Sequence, residues 1–313
     1  MNALLFPGQG SQVVGMGSEI YKNFDLVKNI FREADEKLDF PISQIILKGP
    51  EDQLQLTKNT QPAILIISYS IYKVLKNEFD LNFDQIKYFA GHSLGEYSAL
   101  VCSESLNFND ALHLLHERGK AMQSAVPVGK GGMLAVLGLS ILEINDYLQN
   151  LKSKIGICEI ANDNANGQVI LSGDKESIQF LQNFFKEKKI KSISLKVSAP
   201  FHCSMMKPAA VKMEEKILNT SFNAPKFTIL NNVTAKPEVD PGKIKSLLID
   251  QICSTVKWRE SLINMSELGV ENFIEIGPGK ALTGMVKRTI KNSNSFSINT
   301  IADIKKFADE FKK

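Results

Sequence analysis

The chain has 313 residues, 43% hydrophobic and 23% charged, with 37 Lys and Arg against 34 Asp and Glu. That balance gives no indication of nucleic-acid binding by charge alone, and a net charge of +3 still suits an acidic partner. No stretch approaches 18 consecutive apolar residues, so no membrane span is expected. The four cysteines, Cys102, Cys158, Cys203 and Cys253, are too scattered for a zinc site or a disulfide framework, which fits a reducing cytoplasm.

The N-terminus enters an apolar strand, Ala3 to Phe6, without the basic and long apolar regions of a secretory signal. Gly8, Gly10 and Gly15 follow, but the third glycine falls two positions late for a dinucleotide fingerprint. The loop instead reads as backbone that must approach a ligand closely. Helical patterns over 18–37 and 62–77 lead to a strand, Ile86 to Ala90, and then to Gly91-His92-Ser93-Leu94-Gly95 and the helix-like run Glu96 to Leu100. A further helix begins near Asn109, with Asn109 and Asp110 supplying capping oxygens. Gly129-Lys130-Gly131-Gly132 then breaks the chain.

Residues 133–197 have their own rhythm. Met133–Leu137 reads as a strand and Leu139–Leu151 as a helix. Ile157–Ala161 and Gln168–Ser172 read as strands around an Asn-rich turn, Asn162 to Gly167. A helix, Lys175–Glu187, and a strand, Ser192–Val197, close the unit. The order β-α-β-β-α-β is the split motif of ferredoxin-like domains. The expected fold is therefore α/β: a discontinuous main domain of residues 1–128 plus 198–313 with a parallel sheet, and an inserted ferredoxin-like subdomain of residues 129–197. In the main domain, Phe227–Leu230 reads as a strand, Ile244–Leu268 as mostly helical, and Asn272–Ile276 as a strand stopped by Gly277-Pro278-Gly279. A helix, a short strand and a charged helix end the chain.

Strand, tight turn with a central serine, then helix is the signature of a nucleophile elbow. The helix start brings a positive dipole end and unpaired N–H groups beside the Ser93 hydroxyl. Such a serine is presented to an acyl carbon, with backbone nearby to hold an oxyanion. It needs a base, and there are four histidines. His92 adjoins Ser93 and should point elsewhere. His113 and His116 fall with Glu117 and Lys120 on a polar helix side, a solvated surface without the further ligands a metal would need. His202, in Ala199-Pro200-Phe201-His202, lies where the insertion rejoins the main domain, at the edge of a cleft. Arg118 shares a helix face with Leu112, Leu115 and Met122. A buried guanidinium needs an anion, either a protein carboxylate or one on a substrate, and spacing leaves both open.

These motifs, Phe6-Pro7-Gly8-Gln9-Gly10-Ser11-Gln12, Gly91 to Tyr97, Arg118 to Gln123, Asn231-Asn232-Val233 and Glu275 to Lys280, resemble those of the malonyl-CoA:acyl carrier protein transacylases of type II fatty acid synthesis. The resemblance runs along essentially the whole chain and implies an α/β-hydrolase-like core with a ferredoxin-like insertion. It implies Ser93 as nucleophile, His202 as base, Arg118 as the holder of the malonyl carboxylate, and the amides of Gln9 and Leu94 as the oxyanion hole. Gln251 matches the residue whose main-chain carbonyl orients the histidine, in place of a triad acid. Asn162 matches an asparagine near the pocket. Phe201, before the histidine, goes with malonyl rather than methylmalonyl in related synthase domains. The family implies no metal or organic cofactor, coenzyme A thioester as substrate, an acidic acyl carrier protein as partner steered by Lys and Arg, and a monomer. A serine esterase or thioesterase would use the same elbow with water as acceptor. A scaffold that kept the fold but lost catalysis would not react with a serine-directed phosphonate.

Overall fold

The structure, a computed structural model, describes residues 1–197 and 199–311. Six strands, β1 (Asn2–Phe6), β2 (Ile86–Gly91), β7 (Thr228–Leu230), β8 (Pro237–Glu238), β9 (Asn272–Ile276) and β10 (Asn294–Ile298), form one sheet in the order β10-β9-β1-β2-β7-β8. Only β8 runs antiparallel to its neighbour. The alternation of side chains along a strand explains why helices cover both faces. Leu4, Phe6, Phe89, Ile274 and Ile276 join one apolar cluster with the helices Thr57–Asn77 and Phe108–Ser124. Their sequence neighbours Ala3, Leu5, Tyr88, Ala90 and Phe273 join the other, against Trp258–Glu267 and Ala281–Thr289.

Four strands, β3 (Gly131–Leu137), β4 (Cys158–Ala165), β5 (Gln168–Asp174) and β6 (Ser192–Ser194), make a second, antiparallel sheet in the order β4-β5-β3-β6. Helices Ile141–Asn150 and Lys175–Glu187 complete the β-α-β-β-α-β order. Leu134, Val136, Val169 and Leu171 pack with Ile144, Leu181 and Phe185 on one face. From the other face Met133, Ala135 and Ile170 join the core cluster of the main body. The small sheet thus lies against the large unit through a shared apolar layer.

Several boundaries differ from the sequence-based expectations. The span 18–37 is two helices, Ser18–Asn23 and Asp25–Leu38, separated at Phe24. The 57–77 helix begins five residues before the expected start, with Pro62 inside it. Asn107, not Asn109 or Asp110, caps the 108–124 helix, its side chain accepting from the Asn109 amide. Asn109 instead donates to Glu33. The Asn-rich stretch is strand rather than turn: β4 runs through Ala165, and only Asn166 and Gly167 separate it from β5. Register shifts after Ile160 and Asp163 let this polar stretch leave regular pairing. β6 ends at Ser194, three residues early. The span 244–268 splits into Pro241–Gln251 and Trp258–Glu267. The intervening Val256 bridges Asn162 of β4, its carbonyl accepting from the Asp163 amide at 3.0 Å. Among the described residues no helix is long and apolar enough to cross a membrane.

Candidate active site

The first loops past β1 and β2 leave the sheet at the same edge, because Phe6 pairs with Gly91 in parallel register. This carboxyl edge is where open α/β sheets place their sites. The His92 amide donates to the Phe6 carbonyl at 3.0 Å. A Cβ on Gly8 would stand 2.6 Å from the His92 carbonyl oxygen, so the close approach expected of the Gly8 loop is made to the elbow itself. The turn is as crowded as its glycines imply. A Cβ on Gly91 would lie 1.8 Å from Gly95 carbon, and one on Gly95 would lie 2.2 Å from the Phe6 oxygen.

Ser93 takes φ 54°, the left-handed region that non-glycine residues seldom adopt. Its backbone is held on both sides. The Ser93 amide donates to Asn232 Oδ1 at 2.7 Å, and its carbonyl accepts from Gln251 Nε2 at 3.1 Å. The side chain is presented to His202, with Oγ 2.8 Å from Nε2. His202 Nδ1 lies 2.8 Å from the Gln251 main-chain carbonyl, an acceptor only. That contact assigns the ring proton to Nδ1 and leaves the Nε2 lone pair facing the serine hydroxyl. Burial, and then the charge of Arg118, pull the His202 pKa down to about 3. The imidazole is therefore neutral at neutral pH.

Arg118 is 1% exposed. Its Nη1 donates to Gln61 Oε1 at 2.8 Å, and its Nη2 to Gln251 Oε1 at 2.9 Å and to Ser93 Oγ at 3.2 Å. Burial pulls its pKa below the ordinary value, opposed by Tyr97 and Glu96. Among the described residues no carboxylate is in ion-pair contact with it, and its Nε has no partner. Of the two anions the sequence left open, a protein carboxylate in direct contact is absent among the described residues. The guanidinium thus keeps one buried N–H, at Nε, without an acceptor, beside the Ser93 hydroxyl.

The other residues are placed as follows. Leu94 is the N-cap of the Gly95–Cys102 helix, and Gln9 lies in the loop after β1. No protein group takes up either amide among the described residues. His92 turns away from Ser93, its Nε2 2.8 Å from Asn164 Oδ1 and its ring against Trp258. Asn162 is buried in β4 but makes no hydrogen bond to Ser93 or His202. His113 is exposed as expected. His116 is not simply solvated: it is half-buried, its Nδ1 lies 2.9 Å from the Lys58 carbonyl, and its ring packs near Phe40. No group of three or more metal-ligating side chains occurs among the described residues.

Sequence reading missed Gln61, Glu96 and Asn164, and it gave Asn231 and Asn232 no role. Glu96 is fully buried. Its Oε1 accepts from Asn231 Nδ2 at 2.7 Å, and its Oε2 from the Asn232 amide at 3.2 Å and Gln251 Nε2 at 2.8 Å. Burial pushes its pKa up to about 7 against the pull of these donors and of Arg118. A glutamine followed by proline in an apolar helix was a usable signal for Gln61. Glu96 carried none, because an acid in a first helical turn is ordinary.

Comparison with known proteins fits this geometry. Residues 3–312 match the model of the acyl transferase domain family. The malonyl CoA-acyl carrier protein transacylase of Haemophilus influenzae is 38% identical over 304 residues, covering 96% of each chain. The acyl-carrier-protein S-malonyltransferase structure from Bartonella henselae superposes with a TM-score of 0.96 at 38% identity, covering 100% of this chain and 99% of that one. A malonyl-transacylase solved in complex with its type II PKS acyl-carrier protein gives 0.94 at 36% identity, covering 99% of each. An elbow serine beside a neutral histidine and a buried arginine, on a chain alike from end to end, makes this protein a member of the acyl transferase family, among its malonyl-CoA–acyl carrier protein transacylases.

Proposed function

We propose that the chain moves a malonyl group from malonyl-CoA to the phosphopantetheine thiol of acyl carrier protein, supplying fatty acid synthesis, by a ping-pong route through Ser93. One observation carries the assignment of roles: a single hydroxyl, Ser93 Oγ, lies 2.8 Å from His202 Nε2 and 3.2 Å from Arg118 Nη2. Nucleophile, base and carboxylate holder thus meet at one atom.

In the first half-reaction Ser93 Oγ attacks the thioester carbonyl carbon while its proton passes to His202 Nε2. The oxygen of the tetrahedral intermediate takes the negative charge and is held by the amides of Gln9 and Leu94. The C–S bond breaks, His202 returns the proton to the departing coenzyme A sulfur, and a malonyl-Ser93 ester remains. In the second half the carrier thiol gives its proton to His202 and attacks that ester. Ser93 leaves with the proton restored. The Gln251 carbonyl keeps the imidazole in the required tautomer throughout, so no triad acid is needed.

Arg118 selects the acyl group, because acetyl has no carboxylate to meet the guanidinium. Bound malonate also acts on the base. Arg118 is one of the charges that lower the His202 pKa, so neutralising it raises the basicity of His202 when the correct substrate is in place. The route uses no metal or organic cofactor, and coenzyme A is carried only as substrate. Residues 129–197 are taken as a subdomain inserted between 1–128 and 198–313, whose Asn164 reaches the elbow at His92. The protein is taken to act as a cytoplasmic monomer, to which its four free cysteines are suited.

The test is malonyl-CoA turnover with and without holo acyl carrier protein. Transfer predicts coenzyme A release that stops near one equivalent without the carrier and continues with it. Equally fast release in both would make the enzyme a thioesterase.

A further inference from the structure

Arg118 poses a problem that the reaction does not answer. A guanidinium this deeply buried needs a counter-charge when no substrate is bound. A carboxylate in direct contact would occupy the position meant for malonate and blunt selectivity. The structure holds the arginine by two neutral amide oxygens, those of Gln61 and Gln251. Behind one of them stands a carboxylate. The Gln251 side chain accepts from Arg118 Nη2 through Oε1 at 2.9 Å and donates to Glu96 Oε2 through Nε2 at 2.8 Å. Both contacts demand this orientation of the amide: turned over, it would set N–H groups against the guanidinium and oxygen against the carboxylate.

We propose that Glu96 is the counter-charge of Arg118, acting in series through the Gln251 side-chain amide. It is a positioning residue that determines specificity for a charged acyl group. Resting on the reading of Arg118 as carboxylate holder, this adds how that arginine is balanced and aimed while no carboxylate among the described residues touches it and its Nε keeps no partner. Glu96 also accepts from Asn231 Nδ2 and the Asn232 amide, and Asn232 Oδ1 accepts from the Ser93 amide.

Glu96 can act in this way only while ionised, and three donors converge on its two oxygens. Burial, which pushes its pKa up to about 7, opposes them. The other ionisable groups acting on it are Arg118, from the 108–124 helix, and Tyr97, its neighbour on the 95–102 helix. Tyr97 is itself neutral, pushed up to about 12 by burial. The loop after β7 and the 241–251 helix bring only the amides of Asn231, Asn232 and Gln251. Protonation of Glu96 removes an acceptor and frees the Gln251 amide to turn. Malonyl selectivity therefore falls as pH drops through the pKa of Glu96.

The experiment reads the ratio of kcat/KM for malonyl-CoA to that for acetyl-CoA. The ratio cancels the ionisation of His202, which both substrates require. In the unaltered enzyme the ratio is expected to fall severalfold as pH drops from about 8 to about 6. In Glu96→Gln it is expected to be at least tenfold lower at pH 8 and independent of pH. Placed in an Arg118→Ala background, Glu96→Gln is expected to lower the ratio no further. A flat ratio in the unaltered enzyme overturns the proposal. So does a Glu96→Gln variant that slows both substrates equally, or one that lowers the ratio as much without Arg118 as with it. If Glu96→Gln fails to fold, the pH profile of the unaltered enzyme decides alone. Arg118→Ala separates the two readings. If it leaves the ratio unchanged, the role of Arg118 itself is wrong. If it collapses the ratio and Glu96→Gln does not, only the role of Glu96 is wrong.

Discussion

Replacing Arg118 with alanine separates a structural loss from a chemical one. The guanidinium is fully enclosed and donates to Gln61 Oε1, Gln251 Oε1 and Ser93 Oγ. Truncation leaves two amide oxygens buried without donors, at about 1–3 kcal/mol each, and opens a cavity. These costs fall on the folded enzyme before substrate binds, so they affect malonyl and acetyl transfer alike and appear as a lower melting temperature. A malonyl carboxylate entering the emptied site meets a further penalty that acetyl does not: a buried charge without its partner costs about 2–5 kcal/mol, or roughly 30- to 5000-fold in kcat/KM. The assay is steady-state transfer from each acyl-CoA to holo acyl carrier protein, with thermal melts of the same preparations. Malonyl transfer is expected to fall by at least that factor relative to acetyl transfer. Arg118→Lys, which keeps the charge but loses the planar fork, should fall between. Equal losses for both substrates would mean that the arginine holds the fold and not the substrate.

Burial and Arg118 hold the His202 pKa down to about 3, so the imidazole stays unprotonated as pH falls through the usual histidine range. The kcat/KM for acetyl-CoA should therefore remain level down to about pH 5.5, where a free imidazole would already have lost about tenfold; a tenfold loss there would contradict the buried site. Gly91→Ala must push apart backbone that leaves 1.8 Å for the new carbon. Urea unfolding should show a loss beyond the ~1–3 kcal/mol of ordinary overpacking, and a milder loss would mean that the elbow relaxes readily. Asn232→Ala removes the acceptor of the Ser93 amide and the donor to the Gly91 carbonyl, both buried. It should destabilise by ~2–6 kcal/mol and slow transfer of both acyl groups equally, which activity and melting measurements together would check.

Much of this site could be read from the chain because its chemistry depends on backbone. Gly91 and Gly95 mark the elbow, since no Cβ fits at either place. His202 was reachable by elimination, and Arg118 by its place on an apolar stripe. The β-α-β-β-α-β unit followed from periodicity and turn residues. What escaped depends on long-range packing. Asn162 to Ala165 look like a turn because asparagine favours turns, yet Val256 pairs with this stretch from ninety residues away and the Asp163 carboxylate grips Arg259 at 2.9 Å. Those contacts override local propensity and keep it a strand. The break at 252–257 that supplies Val256 was hidden for the same reason. Glu96 looks like a solvated helix-start acid until the sheet edge, the loop after β7 and the 241–251 helix close over it.

The most direct test of the central claim is intact-protein mass spectrometry after malonyl-CoA is added without carrier protein, followed by peptide mapping. One malonyl group per chain, on the peptide carrying Ser93, lost in Ser93→Ala and discharged by holo acyl carrier protein, is the predicted result. An adduct that survives Ser93→Ala, or maps to another residue, would contradict it.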